Sequence, residues 1–214
     1  ETAFMKMHEA IRTVIQALIA EDAVVDDDRN IETQICEAMI AHDLVEQDCV
    51  EELKTFAIEM IRYFVAERVR YIPESPITLN LTLGDEEITI RPDDVLIDSD
   101  GGRTLRRIKT GHVRSTESKK VGSAVFAIAA QQTFPDASVE IVYLSDQSVQ
   151  TVSLSAKELQ NRHGKLESFL NDIRAGRFPT KPSARTCPGC PAFFICGPIP
   201  SGVLQKNFRS DLPV

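Results

Sequence analysis

Apolar side chains at Ile11, Val14, Ile15, Leu18 and Ile19 recur at the spacing of one helical face, and an acidic run over residues 21–28 ends that stripe. The spacing predicts a first helix there. A second helix is predicted over residues 31–41. A third runs over about 51–68, with Leu53, Phe56, Ala57, Met60, Ile61 and Phe64 on one side, and Pro73 and Pro76 follow where a helix cannot continue. The period then shortens. Ile77, Leu79 and Leu81 alternate with Thr78, Asn80 and Thr82, Gly84-Asp85 makes a turn, and Ile88 and Ile90 alternate again, which predicts an antiparallel hairpin. Residues 95–97 are expected to continue its second strand. A turn over 98–102 leads to a third strand over 105–109. An alanine-rich helix over about 117–132, an apolar strand over 139–144, a short strand over 149–154 and an amphipathic helix over about 156–175 complete the series.

Three helices, a meander, a crossover helix and further strands predict an α/β domain whose mixed central sheet carries flanking helices, with a helical N-terminal part. The expected domain covers residues 1–176. Residues 177–214 contain three of the five cysteines and much of the proline, and read as a Cys-rich appendage.

At 214 residues the chain has room for one well-buried domain and a small addition. No apolar run reaches membrane-spanning length, so no membrane partner is expected. The start at Glu1, without a basic and apolar leader, reads as a segment of something longer. A net charge of −8 and a pI near 5.1 argue against a general nucleic-acid binder. The average conceals an asymmetry. Residues 21–52 hold twelve acids and one base, Arg29, whereas residues 103–120 hold seven Lys/Arg and one acid, Glu117. A polyanion suits the second segment, and Arg103, Arg106, Arg107, Lys119 and Lys120 are its expected DNA-binding residues. The odd cysteine count and the clustering of Cys187, Cys190 and Cys196 point away from a disulfide framework, toward a metal or cluster site in a reducing compartment; cytoplasm is the default location.

Residues 90–98 read Ile-Arg-Pro-Asp-Asp-Val-Leu-Ile-Asp, and after a glycine turn residues 105–111 read Leu-Arg-Arg-Ile-Lys-Thr-Gly. The stretch resembles the core of the PD-(D/E)xK nucleases, the restriction-endonuclease-like fold, in which an acid on one strand and an acid two residues before a lysine on the next meet at a metal ion. Carboxylate oxygens hold Mg²⁺ or Mn²⁺, the ion activates water, and the lysine orients the nucleophile or offsets developing charge. Asp93 matches the first acid, and Lys109-Thr110-Gly111 matches the ending seen in the RecB class. The resemblance implies an acid at position 107, on the same strand face as Lys109. That position is Arg107, and a guanidinium cannot ligate a cation.

Three further landmarks follow the family order. His8 stands where RecB-like enzymes carry a metal-ligating histidine on the first helix. The helix after the lysine strand carries Gln and Tyr four residues apart in RecB-type enzymes; the register here gives Gly122 and Phe126, which lack both hydrogen-bonding groups. Behind Phe178-Pro179, the C-x₂-C-x₅-C spacing of Cys187, Cys190 and Cys196 resembles the end of AddB-type nucleases, where three such cysteines and a distant one hold a [4Fe-4S] cluster. Zinc is the alternative for the same sulfurs. The fourth ligand is expected outside this segment, with Cys36 or Cys49 as substitutes. The resemblance thus implies a DNA-binding module of a larger helicase-nuclease, its motor in the same chain or a partner subunit, with its catalysis degenerate. One alternative is an active Mg²⁺-dependent DNase using His8, Asp93, Lys109 and a displaced acid, Asp94 or Asp98. Another is a zinc-stabilised protein-interaction domain.

Overall fold

The computed structural model describes residues 2–20, 28–44, 50–113 and 120–177. Helix α1 (Ala3–Ala20) is opened by Thr2, whose hydroxyl accepts the Met5 N–H at 3.3 Å. Its buried face, Met7, Ala10, Ile11, Val14, Ile15 and Leu18, follows the helical spacing of the sequence. With α2 (Asp28–Ala41) and α3 (Val50–Arg68) it encloses an apolar core that also takes in Ile31, Ile35, Met60, Ile61 and Phe64.

Among the described residues five strands make the main sheet: β1 (Ile72–Pro73), β4 (Asp94–Ile97), β5 (Arg103–Lys109), β6 (Ser138–Tyr143) and β7 (Ser148–Thr151). The order is β1-β4-β5-β6-β7, and only β5 and β6 run parallel. A parallel pair needs a crossover, and α4 (Val121–Thr133) lies between the two in the chain. Ile108, Val142 and Leu144 pack into the α1–α3 core, whereas the Arg103 and Arg107 guanidinium groups lie over Phe134 and Phe126 at the α4 side. Odd positions of β5 therefore face α4, and even positions face the three-helix layer.

The hairpin of β2 (Leu79–Leu83) and β3 (Glu86–Ile90) forms as the alternation predicts, with Leu79, Leu81 and Leu83 buried, and β2 packs against α4. The expected meander does not. Residues 94–97 leave the hairpin and pair with β1 and β5 in the other sheet. Pro92 has no N–H for a ladder, and the Asp93 N–H donates to the Arg106 carbonyl at 2.9 Å, which starts the new pairing. Asp98 shapes the next turn, its Oδ1 accepting the N–H groups of Asp100 at 2.9 Å and Gly102 at 2.7 Å. A Cβ on Gly102 would stand 2.6 Å from Asp98 Oδ2, so a side chain here would push aside the carboxylate that shapes the turn.

Helix α5 (Ala156–Arg174) begins with a capping box: the Ser155 N–H donates to Glu158 Oε2 at 3.0 Å, and the Glu158 N–H to Ser155 Oγ at 3.3 Å. Its first half is tied to the hairpin by His163 Nε2, 3.2 Å from the Thr82 carbonyl. By compactness the chain divides into Glu1–Glu167 and Ser168–Val214. In the second unit Arg177 pairs with Asp172 at 2.9 Å, while Cys187, Cys190 and Cys196 lie outside the described residues, as do Cys49 and Lys119.

Candidate active site

Asp94 stands opposite Arg106 in the β4–β5 ladder, so Asp93, one residue earlier, comes level with Arg107. Asp93 is held on both sides of its α-carbon. Its N–H is tied to the Arg106 carbonyl, and its Oδ2 accepts the Ile108 N–H at 2.7 Å. The free Oδ1 lies 4.0 Å from Arg107 Nη1, and both side chains are 39% exposed. Arg107 is steadied by the Phe126 ring, 5.1 Å from guanidinium carbon to centroid. Lys109 follows on the same strand face, half-buried, its carbonyl accepting the Leu144 N–H at 2.9 Å. Beside this cluster Asp93 also lines a cleft of about 270 Å³ whose other polar walls are Arg12, Gln16 and Thr110 and whose apolar walls include Ile15, Ile19 and Ile108.

His8 lies one helical turn before Arg12. Burial, reinforced by Arg12 and His112 and opposed by Glu9, holds its imidazole below the ordinary pKa, so it is neutral at pH 7. Phe4 meets the ring edge-on at 4.2 Å, and Nδ1 is buried without a hydrogen bond among the described residues. Arg12 and Gln16 were not singled out from the sequence. The signal was present, because positions 8, 12 and 16 share one face of a helix.

The other acids of this region are committed elsewhere. Asp94 is buried and accepts Arg68 Nε at 3.1 Å; burial pushes its carboxyl up in pKa, and the nearby Arg68 only partly offsets this. Asp98 is used in its turn. Arg106, expected on a DNA-facing surface, requires correction. Its side chain is only 2% exposed, bonded to Glu140 at 2.8 Å and to the Glu67 carbonyl at 3.3 Å, with Tyr71 stacked on it at 4.5 Å. An even position of β5 faces the three-helix layer, and a guanidinium there is buried and paired. Arg103 is half-exposed and carries a two-point bond to Glu74 at 2.7 and 2.8 Å, which holds the Glu74 carboxyl below its usual pKa. Lys120 is exposed at the start of α4.

The chain matches one family model, the PD-(D/E)XK nuclease superfamily, over residues 6–197, a span that takes in His8, Asp93 and Lys109. The chain belongs to this superfamily. Among solved structures, one from Eubacterium rectale described as "Putative exonuclease" superposes with a TM-score of 0.48 at 8% identity, covering 89% of this chain and 76% of that one. No curated protein matches.

Membership in a nuclease superfamily implies a divalent ion at the strand pair, and the residues present do not fit one. Hard cations of this kind are held by several oxygens, with carboxylates supplying the charge. Here the pair offers Asp93 alone, with one oxygen taken by the Ile108 N–H and a permanently charged guanidinium 4.0 Å from the other. Asp94 and Asp98 do not replace the missing acid, since one is buried against Arg68 and the other builds a turn. Among the described residues no three His, Cys, Asp or Glu converge as a metal site.

Proposed function

We propose that this superfamily member is a DNA-binding nuclease-fold module of the RecB/AddB kind, catalytically degenerate, working within a larger helicase-nuclease in DNA repair, recombination or defence. The observation that carries the reading is Arg107: it faces Asp93 across the strand pair, where the reaction needs a second carboxylate. A fixed positive charge there disfavours a catalytic cation and favours a polyanion. Phe126 supports the same reading, because it fills its place beside Arg107 with a ring that has no hydroxyl.

The proposal includes the tail. Cys187, Cys190 and Cys196 would supply three soft thiolates to a [4Fe-4S] cluster, with the fourth ligand outside this segment. The cluster would staple the appendage and takes no part in cleavage.

The test is incubation of the full chain with single-stranded and duplex DNA in Mg²⁺ and in Mn²⁺. No cleavage is expected, together with retained, salt-sensitive DNA binding. Cleavage that requires the ion and disappears in Asp93→Ala or Lys109→Ala would establish an active DNase instead. Absence of DNA binding would favour a protein-interaction role.

A further inference from the structure

Resting on the DNA-binding reading above, we infer that Arg107 is a metal-independent anchor for a backbone phosphate of a DNA strand, and that Asp93 is the internal anion which that phosphate displaces.

Four arginines stand on or beside the β4–β5 pair, and three are spent. Arg68 bonds Asp94 at 3.1 Å, Arg103 bonds Glu74 at 2.7 Å, and Arg106 bonds Glu140 at 2.8 Å. Arg107 differs from all of them. Its nearest carboxylate oxygen is 4.0 Å away, well beyond the ~2.7–2.9 Å of a charge-assisted hydrogen bond. Among the described residues it has no other polar partner, and its remaining contact is the Phe126 ring at 5.1 Å. A ring beneath the guanidinium attracts the charge through its π face and consumes none of its N–H donors.

The gap between Arg107 and Asp93 has a physical cause. Asp93 Oδ2 is held by the Ile108 N–H at 2.7 Å, and the Asp93 N–H by the Arg106 carbonyl at 2.9 Å. Turning the carboxylate to meet the guanidinium fork would break the first of these bonds. The pair thus neutralises part of the charge at a distance and leaves the fork open. A phosphodiester is free of that restraint and brings two oxygens to the fork at once. Both side chains are 39% exposed, so a strand can reach them. Lys109, two positions along the same strand face, adds positive charge on the approach.

Binding of a labelled oligodeoxythymidylate to the full chain, followed by fluorescence anisotropy over a range of salt, tests the assignment. The wild type should bind equally well in EDTA and in Mg²⁺ at matched ionic strength. Arg107→Gln, which keeps bulk and loses charge, should weaken binding about tenfold and lower the salt slope by about 0.7, the share of one single-strand phosphate contact. Asp93→Asn, which removes the competing anion, should tighten binding. Lys157→Ala, exposed on α5, should bind as wild type. Circular dichroism confirms that each variant is folded, and Arg107→Ala provides a second variant should Arg107→Gln fail that check. Wild-type affinity and slope in the folded Arg107 variants would overturn the anchor while leaving the DNA-binding reading intact. Binding that vanishes in EDTA, or weakens in Asp93→Asn, would also overturn it. A wild-type chain that binds no DNA would remove the reading on which the anchor rests.

Discussion

Changing Arg107 to Asp should create the cation site that the wild type lacks. The perturbation removes the positive charge that stands 4.0 Å from Asp93 Oδ1 and puts a negative one on a shorter side chain at the same ladder position. Unit charges at about 4 Å interact by ~1 kcal/mol in water and ~4 kcal/mol at an effective dielectric constant near 20. For a doubly charged ion the change from repulsion to attraction is about four such unit interactions. The site is half-exposed, so the water-like end of the scale applies, giving ~4 kcal/mol or roughly a thousandfold in affinity. Directly opposed side chains on adjacent strands have Cβ atoms about 4.5–5.5 Å apart, a spacing that lets two carboxylates share one ion. Titration with Mn²⁺, by calorimetry or by the loss of the free-ion paramagnetic resonance signal, measures the effect. The wild type should show no saturable site, Arg107→Asp should show one, and adding Asp93→Ala should abolish it. Wild-type binding as tight as that of Arg107→Asp would refute the electrostatic argument, as would a folded Arg107→Asp variant that binds no better.

Two further outcomes follow from the ion pairs and the tail. Arg68→Met strands the buried Asp94 carboxylate, and should cost about 3–5 kcal/mol at neutral pH, lowering Tm by about 10 °C. Burial raises the folded-state pKa of Asp94, so stability linked to its protonation is fully present below the unfolded value and is lost as pH rises through the folded value. Urea denaturation should therefore show the Arg68→Met defect shrinking toward mildly acidic pH and being largely relieved by adding Asp94→Asn; a defect under 1 kcal/mol at every pH would contradict this. Cys187→Ser should remove iron and visible absorbance from the purified chain and make the tail more protease-sensitive, whereas stoichiometric zinc in the wild type would replace the cluster assignment.

Much of the fold was legible because the chain states its own periodicities. The α1 stripe, the β2–β3 alternation and the alanine-rich α4 each carry a local pattern that one burial geometry satisfies. The failure at residues 94–97 is instructive: their apolar run continues that of the hairpin, and only the missing Pro92 N–H marks the change of sheet. Among the site residues, Asp93, Arg107 and Lys109 were picked out by the family resemblance, and the structure places Asp93 just before β4 and the other two on β5. Arg106 was grouped with Arg107 as one basic segment, although the period-two alternation that pairs 107 with 109 already puts 106 on the other face. The strand pleat sends Arg106 inward to Glu140 and Arg107 toward Phe126, a difference of one residue in register.

The sequence by itself determined the kinds and order of most elements, β1 excepted, and the replacement of an acid by Arg107, since these depend on local pattern and residue identity. Partnership was decided by the tertiary structure. Arg68 with Asp94, Arg106 with Glu140 and Arg103 with Glu74 join residues 26 to 34 positions apart, and no local rule selects among the available charges. The same is true of the 4.0 Å gap beside Asp93, which exists because the Ile108 N–H on the neighbouring strand holds the carboxylate back. Which charges are consumed and which remain available to a ligand depends on the pleat and pairing of strands, and these are fixed only when the sheet closes against its two helical layers.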